Sequence, residues 1–204
     1  VNCLDSGNGR VNVVRVDPID STILYVGAPD GGLWKSIDDG NTWSTNTDFL
    51  SVIGVADLAI DYTNTDRIYL ATGDAESDRR SIGILVSTDA GATWNPTGLV
   101  WSATEDQKIT RLLMDPNDPQ RMLAATNDGV YRTTDGWDTW TDAAPFIPLK
   151  DLEYKPGNTN VVYASGETSF FRSTDNGVTF TQVTNGLPNS NVVRIVIGVS
   201  PDDP

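Results

Sequence analysis

Residues Ser36 to Trp43 read "SIDDGNTW", and the pattern returns as "STDAGATW" from Ser87 to Trp94, "TTDGWDTW" from Thr133 to Trp140 and "STDNGVTF" from Ser173 to Phe180. The four boxes begin at positions 36, 87, 133 and 173, so the intervals are 51, 46 and 40 residues, the spacing of propeller blades. A ligand site is rarely written four times in one chain, whereas an architectural unit often is.

Each box closes a larger unit that opens on an alternating apolar run: "RVNVVRVDP" at Arg10, "VADLAIDY" at Val55, "ITRLLMDP" at Ile109 and "LKDLEYKP" at Leu149. Period-two alternation predicts half-buried strands. A turn rich in Pro, Asp and Asn follows ("DPIDST", "DYTNTD", "DPNDPQ", "KPGNTN"), then a second strand ("ILYVGA", "RIYLATG", "RMLAAT", "VVYASG"). A third strand leads into the box ("GLWKS", "GILVS", "GVYRT", "FFRS"), and a fourth starts at Trp43, Trp94, Trp140 or Phe180. Four antiparallel strands per unit make a blade, so the chain is expected to be an all-β partial propeller. The expected blades cover about 10–48, 52–98, 107–143 and 148–185, with the start of a further blade over 190–204, where "NVVRIVIGVSPDDP" repeats the opening strand. Four blades and one strand leave open sheet faces, so the remaining blades are expected from a longer chain or from another subunit.

Within each box the chemistry is that of a turn. Asp38, Asp89, Asp135 and Asp175 stand where a carboxylate accepts backbone N–H bonds across the hairpin, next to the hydroxyls of Ser36, Ser87, Thr133 and Ser173. Gly40, Gly91 and Gly177 allow the positive φ of such a turn, and Trp43, Trp94, Trp140 and Phe180 pin the hairpin against its blade. Trp137 replaces the glycine in the third box, so a different turn shape and an exposed indole are expected there.

Composition removes much other chemistry. The 204 residues hold 14 basic and 28 acidic side chains, a formal charge of −14 that repels a phosphate backbone, so nucleic acid is not an expected partner. With no histidine there is no Ser-His-Asp or Cys-His nucleophile and no histidine-ligated zinc. Cys3 stands alone, so no disulfide forms within the chain. No apolar run approaches the ~18 residues of a membrane span, and no signal segment opens the chain at Val1, which reads as a processed or truncated product.

The motif S/T-x-D-x-G-x-T-W, once per blade, resembles the Asp-box or BNR repeat of the sialidase-like propeller superfamily. That resemblance spans nearly the whole chain and implies a propeller. For function it implies a range: sialidases, xyloglucan-type endoglucanases, sorting-receptor ectodomains, a photosystem assembly factor and secreted bacterial surface proteins. "VGAPDGGLWKS" and "ATGDAESDRRSIGILVSTDAGATW" look most like the last group, which implies a secreted or cell-surface location in a bacterium. The photosystem role fits poorly, since that family presents a basic patch.

In this superfamily the face carrying the loops between second and third strands usually holds the active site. Those loops are "APDGG", "TGDAESDRRSIG", "TNDG" and "SGETS", and their acids Asp30, Asp74, Glu76, Asp78, Asp128 and Glu167 are expected to converge on an acidic mouth. Asp30 and Asp74 are the candidate catalytic acids; Asp30 and Asp128 also suit plain Asx turns. The twelve-residue second loop exceeds what a hairpin needs, so Asp74, Glu76, Asp78, Arg79 and Arg80 are candidate ligand-binding residues. Calcium is the one cofactor the residues suggest, with Asp74, Glu76 and Asp78 as its candidate ligands. Asp74, Glu76 and Asp78 resemble part of a calcium loop but lack its glycine and distal glutamate. Phe49, Trp101 and Phe146 lie in the blade-to-blade loops of the same face; packing between blades is the competing role, and Trp101 is the foremost candidate sugar platform.

Two functions follow. One is a non-catalytic module binding a glycan or protein through the loop face. The other is a glycoside hydrolase resembling the xyloglucanases, in which an aspartate ahead of a Gly-Gly pair is the base; counted from Gly31 and Gly32 its place falls on Pro29, with Asp30 one residue later. For a sialidase, the Arg-Ile-Pro segment and an arginine triad are missing.

Overall fold

The computed structural model describes residues 9–76, 78–187, 192 and 194–201. Sixteen strands form four antiparallel four-stranded sheets, each in sequence order. Blade one holds β1 (Val13–Val16), β2 (Leu24–Ala28), β3 (Gly32–Ser36) and β4 (Ser44–Thr45). Blade two holds β5 (Val55–Ile60), β6 (Ile68–Thr72), β7 (Gly83–Ser87) and β8 (Asn95–Val100). Blade three holds β9 (Ile109–Asp115), β10 (Asp118–Thr126), β11 (Gly129–Thr133) and β12 (Thr141–Ala143). Blade four holds β13 (Asp151–Lys155), β14 (Asn158–Ser165), β15 (Phe170–Ser173) and β16 (Thr181–Val183). The expected all-β propeller is the observed fold. Residues 194–201 are assigned to no strand, and residues 190, 191, 193 and 202–204 of the expected fifth opening strand, like Cys3, lie outside the described residues.

The first strands pack on one another, β1 on β5, β5 on β9 and β9 on β13, and so line the axis. Leu58, Leu112 and Leu152, one per blade, are sealed between neighbouring sheets, whereas Val14 at the matching register of blade one is 56% exposed. Buried carboxylates staple the inner strands. Asp57 accepts the N–H groups of Leu58 (2.8 Å) and Leu112 (2.9 Å) and the Arg15 guanidinium (2.7 Å). Asp151 repeats this with Leu152 and Ile197, both at 3.0 Å, so residues 194–201 lie along blade four although they form no ladder. A buried carboxylate satisfied by several donors ties two chain segments together at once.

All four boxes share one hydrogen-bond pattern. The first-position hydroxyl accepts the fifth-position N–H, from Gly40 to Ser36 (2.9 Å), Gly91 to Ser87 (2.8 Å), Trp137 to Thr133 (3.0 Å) and Gly177 to Ser173 (2.9 Å). Each aspartate accepts the N–H and the hydroxyl of the threonine four residues on. Two successive residues are left-handed: Asp39 and Gly40, Ala90 and Gly91, Gly136 and Trp137, Asn176 and Gly177. The third turn therefore keeps the common shape, and Trp137 accepts a φ of 71°. Nor is its indole exposed: Trp137 is 0% accessible, packed with Tyr69, Ile84, Leu99 and Ile109 between blades two and three.

The boxes do more than pin their own blades, because each later box docks on the blade before it. The carbonyl of Ala90 accepts Lys35 Nζ (2.9 Å) and Tyr25 Oη (3.3 Å), and that of Asn176 accepts Arg132 Nε (3.1 Å). Lys35 and Arg132 both stand just before their own box, where blade two has Val86. There the joint changes form: Gly98 N donates to the Trp137 carbonyl (2.7 Å), and Val86 packs against the cluster that holds the Trp137 indole.

Candidate functional site

The loop face is built on the ends of the second and third strands. The loop after β6 is a folded projection, not a slack excursion. Its stem is closed by Thr72, whose hydroxyl meets Ser81 Oγ (3.0 Å) and donates to the Gly83 carbonyl (2.7 Å), while Ile82 N donates to Thr72 Oγ1 (3.0 Å). Higher up, Asp74 and Arg79 exchange both backbone bonds, at 2.9 and 2.7 Å. This fixed stem aims the side chains of the tip.

Those side chains meet cations, so the expected acidic mouth is an ion-paired one. Asp74, with its carboxylate buried, pairs with Arg10, which arrives from the segment before β1. Arg79 grips Asp30 with two nitrogens, Nε at 2.8 Å and Nη2 at 3.3 Å, joining the loops of blades one and two. Lys108 binds Asp78 (2.5 Å) and Asp106 (3.0 Å); hydrogen bonding from Lys108, then its charge, holds the Asp78 carboxyl below the usual range. Arg80 lies 3.8 Å from Asp106 and donates to the Thr104 carbonyl (3.3 Å). Glu76 faces Arg194 (3.3 Å) and Lys150 (3.8 Å), and Lys150 also faces Glu167 (3.8 Å). Asp128 sits in a short turn, its N–H donating to Thr126 Oγ1 (3.0 Å).

Asp74, Glu76 and Asp78 turn to four different cations, and no group of three metal-ligating acids assembles among the described residues. Trp101 is half-buried against the core of blades two and three, edge-on to Tyr131 with ring centres 5.6 Å apart. Phe49 and Phe146 are the open rings on this face, 95% and 63% exposed. Sequence reasoning missed Arg10, Lys108, Lys150 and Arg194, because the first three reach the mouth from the approaches to first strands and Arg194 from the segment beyond blade four, rather than from the loops.

At the axis these groups surround a cavity of about 240 Å³ lined by Arg10, Asn12, Asp74, Glu76, Thr110, Lys150 and Arg194. Asn12 and Thr110 spend their donors on the carbonyls of Val55 and Leu149, which holds the walls together. Of the two candidate catalytic acids Asp30 is the exposed one, with a side chain 62% accessible, whereas that of Asp74 is 4% accessible. No helix among the described residues is long and apolar enough to cross a membrane.

No family model matches the chain. A xyloglucanase from a Paenibacillus species is 27% identical over 92% of the chain, which spans 23% of that relative. Among solved structures, an ancestral GH74 enzyme superposes with a TM-score of 0.72 at 19% identity, over 87% of this chain and 24% of the other. A structure described as YCF48 bound to D1 peptide superposes at 0.62 and 16% identity, over 87% of this chain and 55% of the other. The chain thus spans about a quarter of the curated relatives it matches, and the structural likenesses establish the β-propeller.

Proposed function

We propose that the chain forms part of a glycoside hydrolase of the xyloglucanase kind, with the loop face binding the glycan and Asp30 supplying one of two working carboxylates. The observation that carries this reading is the alignment of xyloglucanases along nearly the whole chain. Asp30 supports it: the side chain is open to solvent, precedes Gly31 and Gly32, and is oriented by the paired nitrogens of Arg79. Phe49 and Phe146 offer apolar faces to sugar rings on the same side. Asp74, sealed beneath Arg10, serves the loop stem. The second carboxylate comes from outside these four blades, about 5–10 Å from Asp30. A polymeric glycan does not cross a lipid bilayer, so the working location is outside the cell.

Pro29 at the place of the xyloglucanase aspartate favours a second reading, a glycan-binding module without turnover. Asp30→Asn in the whole protein separates the two. For the hydrolase, xyloglucan cleavage falls by roughly 10²–10⁴-fold while retention on a xyloglucan affinity gel is kept. Retention without any cleavage by the unmodified protein leaves the binding module. Failure of the protein to bind or cleave xyloglucan sinks both.

A further inference from the structure

The axial cavity holds a feature that hydrolysis does not use. Lys150 from the approach to β13 and Arg194 from the segment beyond blade four both face Glu76 at the tip of the second loop. These contacts, 3.8 and 3.3 Å, are longer than the ~2.7–2.9 Å of a formed charge-assisted hydrogen bond. Lys150 stands equally far, 3.8 Å, from Glu167. An ammonium and a guanidinium are thus held over one cavity with their hydrogen-bonding capacity only loosely taken up. At about 240 Å³ the space is below the ~300 Å³ at which drug-sized pockets begin, which suits a single sugar ring.

We propose that this cavity is a subsite for a carboxylated sugar residue, a uronate, whose carboxylate displaces Glu76 and bridges Lys150 and Arg194. The inference rests on the reading of the loop face as glycan-binding. In a protein of charge −14, an acidic ligand is repelled by most of the surface, so acceptance depends on a local pair of cations. Guanidinium matches the planar carboxylate with two parallel donors, and the lysine adds a point charge. Glu76 then acts as the resident competitor, which makes its removal diagnostic.

The test is titration of the whole protein with sodium glucuronate, glucose, sodium acetate and a neutral xyloglucan oligosaccharide, read by calorimetry. Glucuronate is expected to bind saturably and about tenfold or more tighter than glucose or acetate. Glu76→Gln is expected to tighten glucuronate binding several-fold, and Lys150→Met or Arg194→Gln to weaken it several-fold, with circular dichroism confirming that each variant is folded. Equal binding of glucuronate and glucose, equal binding of acetate, or no gain on Glu76→Gln overturns the subsite. If the xyloglucan oligosaccharide binds in those cases, the glycan reading stands without it. If no saccharide binds at all, both fall.

Discussion

Trp137 shows how much one residue in a repeated turn can absorb. It takes a left-handed φ of 71° that costs a residue with a Cβ about 1–2 kcal/mol, and it buries a whole indole between two blades. The burial outweighs the strain, since truncating a core tryptophan typically costs about 3–5 kcal/mol. Trp137→Ala should therefore destabilise by about that amount in chemical denaturation. Trp137→Gly leaves the same cavity but relieves the backbone, so it should be the milder variant by about 1 kcal/mol. If alanine proves as stable as wild type, the indole does not hold the joint. The expectation of an exposed Trp137 failed because a turn read in isolation contains no information about the neighbouring sheet that covers it.

At the scale of the element, the box hairpin is both a turn and a clasp. Gly98 in β8 shows how closely the clasp fits: a Cβ there would lie 2.8 Å from the Trp137 carbonyl and press on that of Asp138. Gly98 also donates to Trp137 and accepts from Trp140 Nε1 (3.1 Å). Gly98→Ala should push the third box off blade two, costing about 1–3 kcal/mol and raising amide exchange through the Thr133 to Trp140 hairpin, while blade one keeps its protection. Uniform exchange across both blades would show that the joint is not local. Strand order, turn chemistry and the box bonds were legible in sequence, since period-two runs and Asx turns are local codes. The ion-paired mouth was not. Arg10, Lys108 and Lys150 reach it from the approaches to first strands and Arg194 from beyond blade four, and the contacts joining them to the loop acids follow only from the ring.

For the whole molecule, the four box carboxylates make stability depend on acid. Asp89 is pulled down to about 2 by hydrogen bonds from the Thr93 hydroxyl, then the Thr93 N–H and Ser87. At Asp175 burial pushes upward, but hydrogen bonds from Thr179 and Ser173 outweigh it and bring the carboxyl to about 2 as well. Asp38 and Asp135 are lowered chiefly by Thr42 and Thr139. All four lie below the ~3.9 of an unfolded aspartate, so their stabilisation is present above about pH 4 and fades as pH falls below it, that of Asp89 and Asp175 through about 2. The melting temperature should therefore hold to about pH 4 and drop between about 4 and 2, and Asp89→Asn should flatten part of that drop. A wild-type melting temperature that does not change across this window would rule out the linkage. The joints between blades also fix the order of the repeats. Lys35 and Arg132 receive boxes with Ala90 and Asn176 at the first left-handed position, while Val86 receives the box with Trp137. The blades are thus not interchangeable: exchanging the second and third would set an indole against Lys35 and leave Val86 facing a carbonyl it cannot serve, so the order of the repeats is written into their seams.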